Sequence, residues 1–350
     1  NFDLTDVLTF DVGGRWSEES KKMTKAVTLG SGAPSNPVIA IDSDGTPTGA
    51  LDPKNTALVA VSGSVLSIYP AEQKLSLDEN HFDPFYRLRW DAGDNTMLYL
   101  SYTEGYKSGG FNPSPDTSNP DGSPGEGTEF DSEEAEAWEF GVKSSLWDNR
   151  VSLSATLFHT EVDDLHVTSF QGTNFIVGNA ASMTSQGAEL EGQFALTTEW
   201  EVGGALAYLD SEFDDYKNAP CTIYQLAEQG SACVQDLSGE TGPNAPEWSG
   251  VLYAAYEQTV WANYLFRFNT SAAYTDEYFL DGDLDRNTLQ DSYVKVNASV
   301  AIASGDDRWE LALYGRNLTD ETSYSYASDA PLSAGIYGGW VEEPRIVGLQ

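Results

Sequence analysis

Three aspartates that alternate along a short acidic segment are the residues of this sequence best suited to bind a metal ion. The segment DGDLDRN contains Asp281, Asp283 and Asp285 at the spacing with which a calcium-binding loop begins. Such a loop also needs a glycine and a bidentate glutamate at later positions, where this sequence has Arg286 and Ser292. A solvated acidic loop is therefore the favoured interpretation, and a calcium site is the alternative.

Cysteine and histidine offer little further chemistry. Cys221 and Cys233 lie close together in one polar segment, and in an exported protein such a pair is most simply a disulfide. Two free thiols in a reduced protein are the alternative. His81, His159 and His166 are isolated from one another and from the cysteines, so neither a zinc site nor a catalytic constellation is indicated. The sequence predicts neither an enzyme nor a cofactor.

Long antiparallel strands are predicted to carry these residues. The segment from Glu134 to Leu165 has two arms around the turn Asp148-Asn149-Arg150, and the second arm alternates apolar residues with small polar ones. Its apolar residues are Val151, Leu153, Ala155 and Leu157. Each arm has roughly 14 residues, and at about 3.3 Å per residue and a tilt near 45° it rises roughly 33 Å. That length suits a strand that crosses an outer membrane.

Composition excludes two other classes of protein. The 350 residues contain no run of 18 or more apolar residues, which argues against a transmembrane helix. The formal net charge of −37 is opposite to that of a nucleic-acid-binding surface. Most acidic residues fall in predicted loops, so solvated loops are the simpler interpretation of the charge. The alternative is a surface that binds cations, or that divalent ions bridge to anionic lipid and lipopolysaccharide headgroups.

The whole chain alternates short turns with long polar loops. About 12 strands are predicted, with long outer loops at about 17–81, 109–132, 165–184, 214–246, 279–290 and 317–341. A charge such as Arg267 is costly against lipid, so the polar face of each strand is expected to face a water-filled lumen. Aromatic residues cluster toward strand ends, as they do in the two interfacial belts of a barrel, although ordinary strand propensity is an alternative explanation. The fold predicted is an all-β, antiparallel transmembrane β-barrel.

Five segments, in order, resemble the C-terminal barrel region of TonB-dependent outer-membrane receptors. They are YLSYTEGYKSGGFN (Tyr99 to Asn112), WEFGVKSSLWDNRVSLSATLF (Trp138 to Phe158), SQGAELEG (Ser185 to Gly192), YGRNLTDE (Tyr314 to Glu321) and EPRIVGL (Glu343 to Leu349). The family has about 22 strands and an N-terminal plug. The resemblance therefore implies that residues 1–350 are the C-terminal portion of one barrel domain, with the plug and the remaining strands expected before Asn1.

The resemblance also implies a function, a location and partners. It implies active uptake of a scarce ligand across the outer membrane of a Gram-negative bacterium, with energy supplied by TonB and its inner-membrane complex. Family ligands include ferric siderophores, haem, cobalamin and glycans. Residues near the loops or in the lumen that could contact the ligand are Tyr106, Lys107, Phe111, Trp248, Arg267 and Glu277. The alternatives are a passive porin of about 12 strands and a secreted β-rich binding or structural protein.

Overall fold

Thirteen antiparallel strands form one sheet in the part of the chain that the structure describes. The structure is a computed structural model that describes residues 1–27, 39–41, 47–51, 68–69, 71–114, 117–171, 174–230, 233–261, 263–306, 308–331 and 333–350. The strands are β1 (Phe2–Thr5), β2 (Leu8–Val27), β3 (Ala71–Asp91), β4 (Thr96–Lys107), β5 (Glu133–Leu146), β6 (Val151–Gln171), β7 (Asn174–Ala195), β8 (Trp200–Asp215), β9 (Trp248–Val260), β10 (Tyr264–Thr275), β11 (Tyr293–Ser304), β12 (Glu310–Arg316) and β13 (Ile346–Leu349). Each strand pairs with the next one in the chain, so the order of strands in the sheet is the order in the sequence. The predicted antiparallel fold is confirmed, with thirteen strands against the predicted twelve or so.

The two ends of the sheet differ in their connections. At one end, which we call the short-turn end, the strands are joined by residues 6–7, 92–95, 147–150, 196–199, 261–263 and 305–309. At the opposite end, the long-loop end, the connections that follow β2, β4, β8, β10 and β12 are long. The connection after β6 is also at this end, but there the two strands themselves continue beyond their neighbours. The predicted alternation of short turns and long connections is therefore present in the structure.

Two of the predicted loops are partly wrong, because strands extend into them. The loop predicted at 165–184 is a hairpin, in which β6 continues to Gln171 and β7 begins at Asn174. The loop predicted at 17–81 is shorter than predicted at both ends, since β2 continues to Val27 and β3 begins at Ala71. Outside the membrane, one face of the β2 and β3 extensions meets water and the other carries polar residues such as Lys25 and Gln73, so the contrast between a lipid-facing and a lumenal face is lost. Most of the segment between β2 and β3 lies outside the described residues.

The other long loops contain secondary structure of their own. Two-stranded ribbons pair Gly110–Phe111 with Glu129–Phe130, Ala219–Pro220 with Val234–Gln235, Tyr278–Phe279 with Leu289–Gln290, Tyr324–Asp329 with Tyr337–Val341, and Ile39–Ile41 with Pro47–Leu51. Helix α1 spans Ile223–Gln229, and a 3-10 helix spans Arg286–Thr288. Among the described residues, no helix has the length and apolar character needed to cross a membrane. These loops are therefore folded, and their secondary structure can hold side chains in fixed positions.

One face of the sheet exposes a continuous apolar surface. Leu157 pairs in register with Phe140 on β5 and with Ala188 on β7, and its side chain is 57% exposed. The row continues through Tyr208 to Trp248 on the following strands. A soluble protein would bury such a surface, whereas a membrane barrel presents it to lipid. The outward face predicted for the segment from Glu134 to Leu165 is the face found.

Aromatic rings form two rows on this outward face. Near the long-loop end, the rings of Tyr208 and Trp248 lie 4.9 Å apart, and near the short-turn end those of Trp200 and Tyr256 lie 4.7 Å apart. Eight residues separate the two rows along each strand, which is about 26 Å at 3.3 Å per residue and about 20 Å across a membrane at the usual tilt. This spacing fits two interfacial belts on either side of a hydrocarbon core.

The opposite, lumenal face carries charges that are paired across strands. Arg87 on β3 contacts Asp11 on β2 at 2.7 Å, and Arg15 contacts Asp83 at 2.9 Å. Both aspartates are buried. Charge pairs of this kind are compatible with a water-filled or protein-filled lumen and not with lipid. The exposed apolar residues on one face and the charge pairs on the other therefore both assign the polar face to the lumen.

Candidate functional site at the long-loop end

Three of the predicted ligand-binding residues lie together where β4 ends. The ring of Tyr106 stacks on His81 at 4.5 Å, and its hydroxyl is buried. The ammonium group of Lys107 lies 3.4 Å from the carboxylate of Glu133, and the Lys107 side chain is 62% exposed. Phe111 follows in the ribbon at the start of the next loop. A cation and two aromatic rings are thus present where β4 ends, at the long-loop end.

The other three predicted residues are dispersed. Glu277 is exposed just beyond the end of β10, on the long-loop side. Arg267 lies on the lumenal face but near the short-turn end, between the carboxylates of Glu257 at 2.8 Å and Glu310 at 2.5 Å. Trp248 lies on the outward face, because it pairs in register with Tyr208 and its side chain therefore points to the same side of the sheet as the lipid-facing row. We therefore remove Trp248 from the candidates for ligand contact and assign it to the aromatic belt.

Polar side chains on the extensions of β2 and β3 hold the loop between β4 and β5. Lys21 Nζ donates to the carbonyl oxygen of Gly109 at 2.6 Å, and Lys25 Nζ donates to Thr117 Oγ1 at 2.8 Å. Gln73 Nε2 donates to Ser118 Oγ at 3.2 Å. Lys25 and Gln73 face each other in the strand register. Sequence reasoning placed these residues in a loop, and so it missed their role in positioning the neighbouring loop.

The same loop is fixed on its other side by the β6–β7 hairpin. Asn112 Nδ2 donates to the carbonyl oxygen of Val177 at 2.6 Å, and the Val177 amide donates back to Asn112 Oδ1 at 3.0 Å. Asn179 Nδ2 donates to the carbonyl oxygen of Asp131 at 3.0 Å. These contacts use side-chain amides to satisfy loop carbonyls, which would otherwise be left unpaired in partly buried positions. The wall of the site near Phe111 is consequently held between two hairpins.

The loop between β8 and β9 has a small core and a disulfide. Phe213, Tyr216, Ala219 and Leu237 are buried together with Ala181 of β7. Cys221 and Cys233 form a disulfide on either side of helix α1, which confirms the predicted pair. Thr222 caps the helix, and the side chain of Gln225 accepts from the amide of Thr222 at 2.8 Å. This loop is thus folded by local contacts and is not simply a solvated connection.

Removing the disulfide should loosen this loop without unfolding the sheet. Closure of a loop of about this length contributes about 3 kcal/mol in the chain-entropy account, and the strands of the sheet do not share it. We expect the double substitution Cys221→Ser and Cys233→Ser to increase amide hydrogen exchange in residues 219–235 by at least tenfold. Exchange in β8 and β9 serves as the internal control. Equal exchange in the variant and the unsubstituted protein would contradict this role.

Three carboxylates meet at the junction of the long loops. Oxygen atoms of Asp281, Asp283 and Asp329 lie within 4.8 Å of one another. Burial raises the pKa of Asp283 to about 7, with a further contribution from the charge of Asp281. Burial also raises the pKa values of Asp281 and Asp329. The cluster therefore concentrates negative charge in a partly desolvated position.

Asp285, the third aspartate of the calcium site considered as an alternative, lies outside this group of carboxylates. Asp285 is not part of the cluster, because its carboxylate accepts from the amide of Asn287 at 2.9 Å and from the hydroxyl of Tyr337 at 2.8 Å. Asp329, which replaces it, lies on the hairpin between β12 and β13. Local spacing in the sequence found two of the three carboxylates. The third comes from a different loop, and no local pattern could identify it.

Direct hydrogen bonds hold the loops around these carboxylates. Gln235 Nε2, in the disulfide-bonded loop, donates to the carbonyl oxygen of Asp283 at 2.8 Å. The amide of Tyr324 donates to Gln290 Oε1 at 2.9 Å and links the β10–β11 loop to the last hairpin. Three long loops are therefore joined to one another at the long-loop end, and the acidic cluster lies where they meet.

A concave region lies on the lumenal face of the last strands. It has a volume of about 500 Å³, and its polar lining includes Tyr253, Asn269, Asn297 and Tyr314. Of the predicted ligand-binding residues, none lines it. Glu310, which pairs with Arg267, lies at its edge. The recess is therefore a feature of the lumenal wall, separate from the cluster of residues around Tyr106.

Comparison with known proteins identifies the family. The profile described as "TonB dependent receptor-like, beta-barrel" matches residues 1–318. The chain belongs to the TonB-dependent receptor family. The family consists of transport receptors of the Gram-negative outer membrane and not of enzymes, so this chain is an outer-membrane protein.

Individual relatives are distant and longer than this chain. The protein named "Probable TonB-dependent siderophore receptor PiuA" of Acinetobacter baumannii is 27% identical over 199 residues, which cover 57% of this chain and 24% of the relative. The solved ferric yersiniabactin uptake receptor FyuA of Yersinia pestis superposes with a TM-score of 0.69 at 16% identity, over 99% of this chain and 43% of that one. The PiuA structure gives 0.65 at 19% identity, over 99% of this chain and 41% of that one. The chain spans less than half the length of these relatives, and the structural likeness supports the fold.

The family assignment and the fold decide between the alternatives left open by the sequence. The long antiparallel sheet with an apolar outward face is incompatible with a secreted propeller or sandwich, which would bury its apolar residues in a dry core. The barrel matches the receptor-family profile over residues 1–318. The transmembrane barrel of a receptor remains.

Proposed function

We propose that this chain forms part of a receptor that imports a metal chelate of the siderophore class through the outer membrane, with energy from TonB and its inner-membrane complex. The observation that carries the proposal is the receptor-family match over residues 1–318. Two curated relatives support the ligand class. PiuA is named as a siderophore receptor, and the "Metal-pseudopaline receptor CntO" of Pseudomonas aeruginosa is 29% identical over 131 residues, 37% of this chain and 16% of the relative. Among the ligands considered from the sequence, we therefore favour metal chelates over haem, cobalamin and glycans.

The residues proposed to contact the ligand are those on the accessible side of the long-loop end. Lys107 is exposed and has a single long ion pair, so its ammonium group can turn toward an anionic ligand. Tyr106 and Phe111 provide aromatic rings at the end of β4 and in the ribbon that follows it, and Glu277 is exposed just beyond the end of β10. Arg267 is better suited to stabilising the lumenal wall, because two carboxylates already hold it near the short-turn end.

Lipid is the second partner proposed for this chain. The outward apolar surface would contact the acyl chains, and the aromatic rows would lie at the level of the headgroups. Acidic side chains near the outer rim could interact with lipopolysaccharide through bridging divalent ions. Contact with TonB would be made by a plug domain, as in the family, and not by the strands described above.

Uptake of radioactive iron tests the proposed function. We expect cells that express the full encoded protein to take up ferric siderophore from a panel of hydroxamate, catecholate and mixed-ligand chelates, and to lose at least nine-tenths of that uptake when TonB is removed. The matched control is the same strain without the receptor gene. Uptake that persists without TonB would favour a passive pore and contradict the proposal.

The same assay tests the proposed ligand contact. Replacing Lys107 by alanine should raise the half-saturating concentration about tenfold or more, because a hydrogen bond to a charged group contributes about 1.5–3 kcal/mol. Lys217→Ala is the matched control, since Lys217 is an exposed lysine of another loop that pairs only locally, with Asp215. Equal effects of the two substitutions would exclude Lys107 from the ligand-binding residues.

A further inference from the structure

The acidic cluster of Asp281, Asp283 and Asp329 lacks compensating positive charge. Among the residues that the structure describes, no lysine, arginine or histidine lies within ion-pairing distance of these three carboxylates. Asp283 is 7% exposed, so water cannot solvate its charge fully. A buried carboxylate that is not paired with a basic group either takes up a proton or binds a cation.

Backbone amides orient two of the three carboxylates. Asp281 accepts from the amide of Gly282 at 2.8 Å. Asp283 accepts from the amide of Asp285 at 3.0 Å. Asp281 and Asp283 are thus each oriented by one backbone amide, and all three carboxylates retain oxygen lone pairs for another partner.

A tyrosine hydroxyl provides independent evidence that this position holds a ligand. Tyr216 is 1% exposed, and its hydroxyl has no hydrogen-bond partner among the described residues. Leu284, which follows Asp283 in the chain, packs against the buried cluster that contains Tyr216. A buried hydroxyl usually has a partner, because leaving it unpaired costs about 1–3 kcal/mol. The Tyr216 hydroxyl therefore offers a fourth oxygen atom on the side of the cluster where Leu284 packs.

We propose that Asp281, Asp283 and Asp329, with the hydroxyl of Tyr216, bind a hard divalent cation of the Ca²⁺ type. All four donors are oxygen atoms, which favours Ca²⁺ or Mg²⁺ over transition metals that prefer nitrogen or sulfur. The donors come from three separate loops of irregular shape, which suits the flexible coordination of Ca²⁺ better than the strict octahedron of Mg²⁺. The site has no calcium-loop sequence because its ligands are assembled by tertiary structure.

Binding of the cation would join three long loops into one unit. Asp281 and Asp283 belong to the β10–β11 loop, Asp329 to the β12–β13 loop and Tyr216 to the disulfide-bonded loop. Neutralising the cluster removes repulsion among carboxylates that the present hydrogen bonds leave close together. We infer that the cation sets the shape of this side of the outer rim. This role concerns loop structure and does not depend on which ligand the receptor imports.

Calorimetric titration with Ca²⁺ tests the site directly. The full encoded protein is refolded in detergent without lipopolysaccharide, so that calcium held by lipid does not contribute. We expect saturable binding, weakened at least tenfold by Asp283→Asn and by Asp329→Asn, and changed less than twofold by Asp236→Asn. Asp236 is an exposed carboxylate of the disulfide-bonded loop outside the cluster, and its substitution removes the same charge. Binding that is absent, or equal in all of these variants, would overturn the proposal.

Two further measurements separate ligation from general folding. Calcium should slow amide exchange in residues 216–247, 276–292 and 317–345 of the unsubstituted protein but not of Asp283→Asn, while exchange in the sheet stays the same in both. Tyr216→Phe should weaken binding by twofold to tenfold, because it removes one neutral ligand and keeps the ring in its core. An unchanged affinity in Tyr216→Phe would overturn the assignment of the hydroxyl as a ligand. Unslowed loops in the unsubstituted protein would overturn the joining of the loops.

Discussion

Replacing Leu153 by arginine should block folding into membranes, while replacing the adjacent Ser154 by arginine should have little effect. The two residues occupy the same depth of β6 and point to opposite faces. Leu153 is four residues from Leu157 on the same strand, so both side chains point outward, and Leu157 is 57% exposed on the lipid-facing surface. An arginine against lipid near the membrane midplane costs roughly 2–4 kcal/mol, whereas one in the lumen costs little. Ser154 lies between Lys143 and Glu191 in the strand register, so the new charge would have one neighbour of each sign.

The measurement is the folded fraction of the full encoded protein after insertion into lipid vesicles, read from the heat-dependent shift in electrophoretic mobility. We expect Leu153→Arg to lower the folding equilibrium by about 30-fold or more, the equivalent of about 2 kcal/mol. Ser154→Arg should remain within a few-fold of the unsubstituted protein. If both variants fold equally well, the outward and lumenal faces have been assigned wrongly.

The part of the fold inside the membrane could be predicted because lipid and lumen impose opposite requirements on neighbouring residues. That contrast produces the alternation of Val151, Leu153 and Ala155 with polar residues, and it reveals strands, turns and faces. The same parity rule places Trp248 with Leu252 and Tyr256 on the outward face. Its assignment as a ligand contact followed from its nearness to a loop and overlooked this alternation.

The parts of the structure outside the membrane could be predicted much less well. Lys21, Lys25 and Gln73 lie on strand extensions whose two faces both meet polar surroundings, so the alternation that identifies a strand is lost. The acidic cluster was missed in part for another reason. Asp281 and Asp283 are neighbours in sequence, but Asp329 and Tyr216 reach them only through the packing of separate loops. A site assembled by tertiary contacts leaves no spacing that a single sequence could reveal.

Aromatic rings packed over glycines limit what the lumenal wall can accept. Tyr99 and Gly141 face each other in register on β4 and β5, and so do Phe158 and Gly187 on β6 and β7. A Cβ atom at Gly141 would lie 2.3 Å from the Tyr99 ring. Glycine is normally unfavourable within a strand, but here the ring covers the space that a side chain would fill. These pairs explain why glycine occurs in the middle of otherwise regular strands.

Gly187→Ala should therefore destabilise the sheet, in contrast to Gly178→Ala on the same strand. A Cβ atom at Gly187 would lie 2.1 Å from the carbonyl oxygen of Tyr208 and 2.8 Å from the ring of Phe158. The ring can turn aside, but the carbonyl belongs to a neighbouring strand and moves only with its backbone. Overpacking of this kind costs about 1–3 kcal/mol. A Cβ atom at Gly178 meets nothing within 4 Å, so alanine there should be neutral, or stabilising by up to about 1 kcal/mol.

Urea unfolding of the full encoded protein in lipid vesicles measures both free energies on one scale. The close approach at Gly187 predicts a lower free energy of unfolding for Gly187→Ala and an unchanged slope with urea concentration, because the surface exposed on unfolding is the same. The difference between the two alanine variants is the informative quantity, since helix and strand propensities cancel when the same substitution is made twice in one strand. A difference below about 0.5 kcal/mol would mean that β7 and β8 can separate locally at no cost. The tight packing between Gly187 and Tyr208 would then not be a feature of the folded wall.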